Sequence, residues 1–354
     1  MARRVSGREG KRRAVGEATV HQEQTTDGTP AAASRRWLIL ALRIVVSLAM
    51  LGVLLWRVPH FSVDDLVPEW SSQTALFLAG AAALTLAGIV LSALRWRTVL
   101  LALGHDAKLR RLLSYNLAGL FVSNVLPTTI GGDVLRVSRL SKDNGESAES
   151  FASVVLERLT GWLVLPIITL AGLLVNPGLR HLGNATRVAL ALAIGTLVAL
   201  VAVLGGMASQ RFGARVAGSD GWRRFAGAVH LGVERLRRHP AAAFNVLIVG
   251  FAYQLVLVFA ALLAAKAVGM SVAVGPTALL AFFPAVLIAQ VLPISISGLG
   301  VREGAFVLFL TPLGVPTQQA IALGLLLYLL NLAVSLLGAP AFAVGSRGQR
   351  AIAA

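Results

Sequence analysis

The chain has 354 residues, 56% of them hydrophobic and only 14% charged, with a mean hydropathy of +0.76, which excludes an ordinary soluble domain and places it among polytopic membrane proteins. A formal net charge of +16 raises nucleic acid as a partner, but the arginines gather in the N-terminal tail and between apolar runs, the pattern of a cytoplasmic membrane face. There is no cysteine, so disulfides and thiolate chemistry are excluded; the six histidines are scattered without ligand spacing, and neither a metal nor a cofactor is expected.

Residues 1–36 hold hardly any large apolar side chain and predict a disordered, basic cytoplasmic tail. Trp37–Trp56 is the first predicted span, close to the ~20 apolar residues a bilayer requires. The loop 58–72 carries Asp64, Asp65 and Glu69 without Lys or Arg, which places it outside. Gln73–Leu94 returns inward and ends on Arg95, Trp96 and Arg97, read as an aromatic and basic anchor at the interface. Phe151–Val175 then goes outward, 176–186 is an outer loop, and Val188–Met207 comes back. Residues 208–240, with seven arginines, read as a basic cytoplasmic loop. Ala241–Val268 goes out, with Lys266 near its outer end, and Gln318–Val344 brings the chain in to a short cytoplasmic tail, 346–354.

Between these spans one twelve-residue pattern occurs twice, as VLPTTIGGDVLR at 125–136 and VLPISISGLGVR at 291–302. Each copy stops an apolar run at a proline, Pro127 or Pro293, passes through small and hydroxyl residues, and resumes at Arg136 or Arg302. Proline removes an N–H and disfavours helix at the residue before it, so both copies predict broken membrane helices. A single crossing by 112–140 would put the arginine-rich 208–240 outside, so this segment is expected to enter and leave on the cytoplasmic side. The second copy, within 275–311, enters from the outer side. The fold expected is an all-α polytopic membrane protein, with a transmembrane domain over 37–345. It has about six full transmembrane helices and two broken or re-entrant segments forming an inverted repeat.

Backbone that is not helical at membrane depth must line a cavity or be buried in protein. In the first copy Asn124, Thr128, Thr129, Gly131, Gly132 and Asp133 lead into a helix start whose N–H groups and dipole favour an anion, with Arg136 adding a guanidinium fork for phosphate. In the second, Gln290, Ser295, Ser297, Gly298 and Gly300 precede Arg302 and Glu303. The bland reading is that the glycines permit close packing and that the charges form structural ion pairs. Glu157 and Arg158 are neighbours on a helix and point in different directions, so one of them could reach a broken segment, or both could sit at headgroup level.

The runs NVLPTTIGGDVLR, LER at 156–158 and SGLGVRE at 297–303 resemble the transmembrane region of the lysylphosphatidylglycerol synthases, a flippase-like integral membrane family, over about 37–345. The resemblance implies a helix bundle of the bacterial inner membrane that translocates a lipid, in its best-known members an aminoacylated phosphatidylglycerol. It carries over to Pro127, Gly131, Gly132, Asp133, Arg136, Glu157, Arg158, Ser297, Gly298, Gly300, Arg302 and Glu303. The soluble aminoacyl-transferring domain of the synthases does not follow residue 345, so aminoacylation is not expected. The function expected is movement of a lipid with an anionic headgroup, without enzyme activity. A transferase acting on a lipid, or a membrane partner of a separate lipid synthase or glycosyltransferase, are the alternatives.

Overall fold

The computed structural model describes residues 70–125, 131–209, 221–270, 274–291 and 298–343, with isolated positions at 45, 49, 52, 53, 56 and 211. The expected first span and both tails therefore lie outside the described residues, apart from five helical positions within 45–56. The described residues form helices α1 (Ser72–Ala102), α2 (Leu109–Val125), α3 (Gly131–Asn144), α4 (Ser147–Val175) and α5 (Asn184–Met207). They continue as α6 (Gly221–Arg238), α7 (Pro240–Ala267), α8 (Pro276–Gln290), α9 (Val301–Leu310) and α10 (Thr317–Ser335). Five of these, α1, α4, α5, α7 and α10, are long and apolar enough to cross a membrane, and α8 is a shorter apolar helix. The protein is an all-α, multi-pass membrane protein.

The described helices stop just before both expected breaks, α2 at Val125 and α8 at Gln290, two and three residues ahead of Pro127 and Pro293. Each break makes a hairpin that returns to the side it came from. Asp143 at the end of α3 accepts from Tyr115 Oη at 2.6 Å and Arg111 Nη1 at 3.3 Å, both in the first turns of α2. In the second hairpin Phe282 stacks on Phe309 at 5.2 Å and Phe283 on Phe306 at 6.2 Å, which is antiparallel register. Glycine allows the close approach in the first: a Cβ on Gly119 would lie 2.9 Å from the carbonyl oxygen of Gly132.

The series α1–α2–α3–α4 is repeated as α7–α8–α9–α10, and each helix starts between 167 and 170 residues after its counterpart. The packing follows the same correspondence. Helix α4 packs on α7 and α8 as α10 packs on α1 and α2, and the equivalent helices α1 and α7 pack along one another. The two hairpins enter from opposite ends of α4. His105, in the connection between α1 and α2, pairs with Glu149 in the first turn of α4, while Asn176 Nδ2, just past the end of α4, donates to Thr277 Oγ1 at 3.1 Å in the first turn of α8. This opposed arrangement is that of an inverted repeat.

The end marked by Glu149 is also the basic one. Arg139 of α3 donates to the carbonyls of Ala341 and Phe342 at 2.9 and 3.0 Å, so the last described turn lies there too. At the opposite end Arg180 is tolerated because it caps α4, donating to the carbonyls of Leu173 and Leu174.

Two expectations change. The stretch 208–240 is not simply a loop: within it α6 is amphipathic, burying Val229, Gly232 and Val233, the last two against Leu103 and Leu156, and exposing its arginines. Arg238 and Arg237 donate to the half-buried Glu234 and hold its carboxyl below the usual range. Arg95 and Trp96 are not interface anchors; both are buried within the bundle. Room for the Arg95 guanidinium comes from Gly161 of α4, where a Cβ would lie 2.5 Å from Arg95 Nη1.

Candidate functional site

Helices α1, α3 and α4 bring five charged side chains together near the basic end. Glu157, fully buried, takes Arg95 on Oε1, with Nε at 3.0 Å and Nη2 closer still, and Arg136 on Oε2 through Nη1 and Nη2 at 3.2 Å each. Arg136 Nη1 also reaches Asp133 Oδ1 at 3.2 Å. Asp133 in turn receives Arg158 as a two-point fork, Nε to Oδ2 at 3.1 Å and Nη2 to Oδ1 at 2.8 Å. The adjacent residues Glu157 and Arg158 do point apart, as helix geometry requires, and both reach the first broken segment.

Aromatic rings complete the lining. The Arg136 guanidinium lies 4.2 Å from the centroid of the Trp96 ring, whose Nε1 donates to Ser153 Oγ at 3.0 Å, and Arg95 lies over Tyr253 at 4.9 Å. Three arginines face two carboxylates, so the group carries one uncompensated positive charge. Arg136 Nε is buried with no hydrogen-bond partner. Arg95 was missed by sequence reasoning because it sits at the end of an apolar run beside Trp96 and Arg97; the small residues Gly161 and Gly250 that admit it are on α4 and α7, far away in sequence.

The second copy forms its own group. Arg302 Nε and Nη2 donate to Glu303 Oε1 at 3.1 and 2.9 Å, and its guanidinium lies over Tyr328 of α10 at 5.2 Å. Glu303 Oε2 accepts from the N–H of Gly300 at 2.6 Å, so the start of α9 is capped by the protein's own carboxylate. Gly324 of α10 makes the space, since a Cβ there would be 3.0 Å from Glu303 Cγ. Counted from the helix starts, Tyr328 of α10 corresponds to Arg158 of α4, next to the place of Glu157. The place of Glu157 itself is taken by Leu327, so α10 offers the second arginine a ring and no carboxylate.

Arg136 and Arg302 occupy equivalent positions, each eight residues before the end of its helix, or about 12 Å by helical rise. Among the described residues the two groups share no ion pair or hydrogen bond. Of the other site candidates, Gly131 and Gly132 open α3, and Gly132 packs against Gly119 and Ser123 of α2. Asn124 Nδ2 is buried without a partner. Gln290 packs against Gly298, whose φ of +75° and missing side chain let it pass. Pro127, Thr128, Thr129, Pro293, Ser295 and Ser297 lie outside the described residues.

Comparison with curated proteins and with solved structures finds no match for this chain. The profile of the lysylphosphatidylglycerol synthase TM region matches residues 39–338, from the expected first span through α10 and across both broken hairpins. The chain therefore belongs to the lysylphosphatidylglycerol synthase transmembrane-region family.

Proposed function

We propose that this protein moves a lipid with an anionic headgroup, a phospholipid or a lipid-linked intermediate, across the bacterial inner membrane, with the basic end and both termini in the cytoplasm. The observation that carries this reading is a charge imbalance: Arg95 and Arg136 are buried on the single carboxylate of Glu157, and the partly exposed pair Arg158–Asp133 beside them adds no net charge. A buried guanidinium without a matching anion is costly, and a purely structural ion-pair network has no use for one. A headgroup phosphate supplies the missing charge. The Arg302–Glu303 pair offers a second station, neutral by itself, where the guanidinium can turn to a phosphate while Glu303 stays held by the N–H of Gly300.

The reading makes the chain a transporter rather than an enzyme, passive or ion-coupled, with no partner required for the movement itself. Reconstitution of the purified chain into vesicles containing a headgroup-labelled anionic lipid tests it, because a partner protein or a transferase would not move lipid alone. Loss of inner-leaflet protection of the label supports the reading; full protection rejects it.

A further inference from the structure

We propose that Arg158 is the side chain on which the anionic headgroup first docks, from the leaflet at the basic end, and that Asp133 is the carboxylate which the headgroup displaces. This rests on the reading of the chain as a lipid translocator and names the docking step of that same site.

The three arginines of the group are not equally accessible. The side chains of Arg95 and Arg136 are 7% and 3% exposed and share one buried carboxylate, whereas Arg158 is 52% exposed and Asp133 26%. Arg158 lies on an exposed stripe of α4 with Phe151 and Trp162, at the i, i+7, i+11 spacing of one helix face. Its depth suits a headgroup. Beyond it, Leu159–Val175 is an uncharged stretch of 17 residues, about 26 Å of helix against a hydrocarbon core of ~30 Å. Arg158 is therefore at the boundary of the core, where the phosphates of one leaflet lie, and Trp162 is one turn further in.

The chemistry of exchange is balanced. Asp133 holds Arg158 by the same two-point geometry with which a guanidinium grips a phosphate monoanion, so one anion replaces another. Asp133 is not left unpaired on release, because Arg136 Nη1 stays within 3.2 Å of it. Arg136, buried over Trp96 and fixed on Glu157, acts here as a positioning residue that keeps Asp133 at hand.

The test is binding of short-chain dihexanoylphosphatidylglycerol to the purified full chain by calorimetry, with inorganic phosphate in a parallel arm. Asp133→Asn removes the competing charge and is expected to tighten binding roughly 3- to 10-fold, the size of one partly exposed ion pair. Arg158→Gln should weaken binding more than about tenfold, the loss of a charge-assisted fork. Adding Asp133→Asn to Arg158→Gln should recover nothing. If Asp133→Asn binds no more tightly than the natural chain, or Arg158→Gln binds as well, the proposal is overturned. Equal affinity for inorganic phosphate overturns the lipid as its ligand. Should Arg158→Gln fail to fold, the Asp133→Asn result decides alone. The expected binding pattern without lipid movement would reject translocation and leave this docking step standing; movement with an unaltered Asp133→Asn would do the reverse.

Discussion

Arg136 donates from both terminal nitrogens to a single oxygen of Glu157, at 3.2 Å each, and so ties the first broken hairpin to the long helix α4. Because the other oxygen of Glu157 holds Arg95 of α1, one carboxylate cross-links three helices. Fully buried itself, Glu157 is the keystone of the group.

Glu157→Gln should therefore destabilise strongly. It leaves two buried guanidiniums facing a neutral amide, and removing one partner of a buried pair costs about 3–5 kcal/mol. Unfolding in detergent, followed by loss of helical signal, would register the change. Arg158→Gln, at the half-exposed rim, should shift the transition far less.

Glycine substitutions separate space from flexibility. Gly324→Ala places a Cβ 3.0 Å from Glu303 Cγ and 3.1 Å from its Oε1, and should cost about 1–3 kcal/mol through overpacking. Gly195→Ala on α5 meets nothing within 4 Å and should be neutral or stabilising by up to ~1 kcal/mol. A destabilised Gly324→Ala beside an unharmed or stabilised Gly195→Ala is the expected outcome in paired unfolding measurements. Equal effects would mean that the Glu303 carboxylate is not confined by α10.

The ends of α2 and α8 were legible, each within three residues of Pro127 or Pro293, but proline alone does not decide an end, since Pro166 of α4 and Pro284 of α8 sit inside unbroken helices. The small and hydroxyl residues that follow Pro127 and Pro293 supplied the rest of the signal. The long apolar runs were legible for the same reason that lipid requires them. What the sequence hid was tertiary. Arg95 reads as an interface anchor until Gly161 and Gly250 are known to face it. Helix α6 was masked by its arginines, although Phe225, Val229, Val233 and Leu236 recur at helical spacing and could have shown it. The separation of the Arg136 and Arg302 groups depends on which helices cross, and no local pattern encodes that.

Sidedness can be read with single cysteines, since the chain has none. Arg223 is exposed on α6 at the basic end and His181 is exposed at the other. In intact cells an impermeant maleimide should label His181→Cys, and Arg223→Cys only after permeabilisation. Labelling of both positions from one side would contradict the opposed hairpins and the orientation proposed with them.

The central claim is tested most directly by headgroup accessibility in vesicles reconstituted with the purified chain. Labelled phosphatidylglycerol in the inner leaflet should become accessible to an external quencher with the natural chain. It should stay protected with Arg158→Gln, and with Arg302→Ala once unfolding measurements show that variant to be folded. Arg302→Lys should be only partly active, because lysine keeps the charge but loses the planar fork. Protection that persists with the natural chain, or movement undiminished in both arginine variants, would contradict the account.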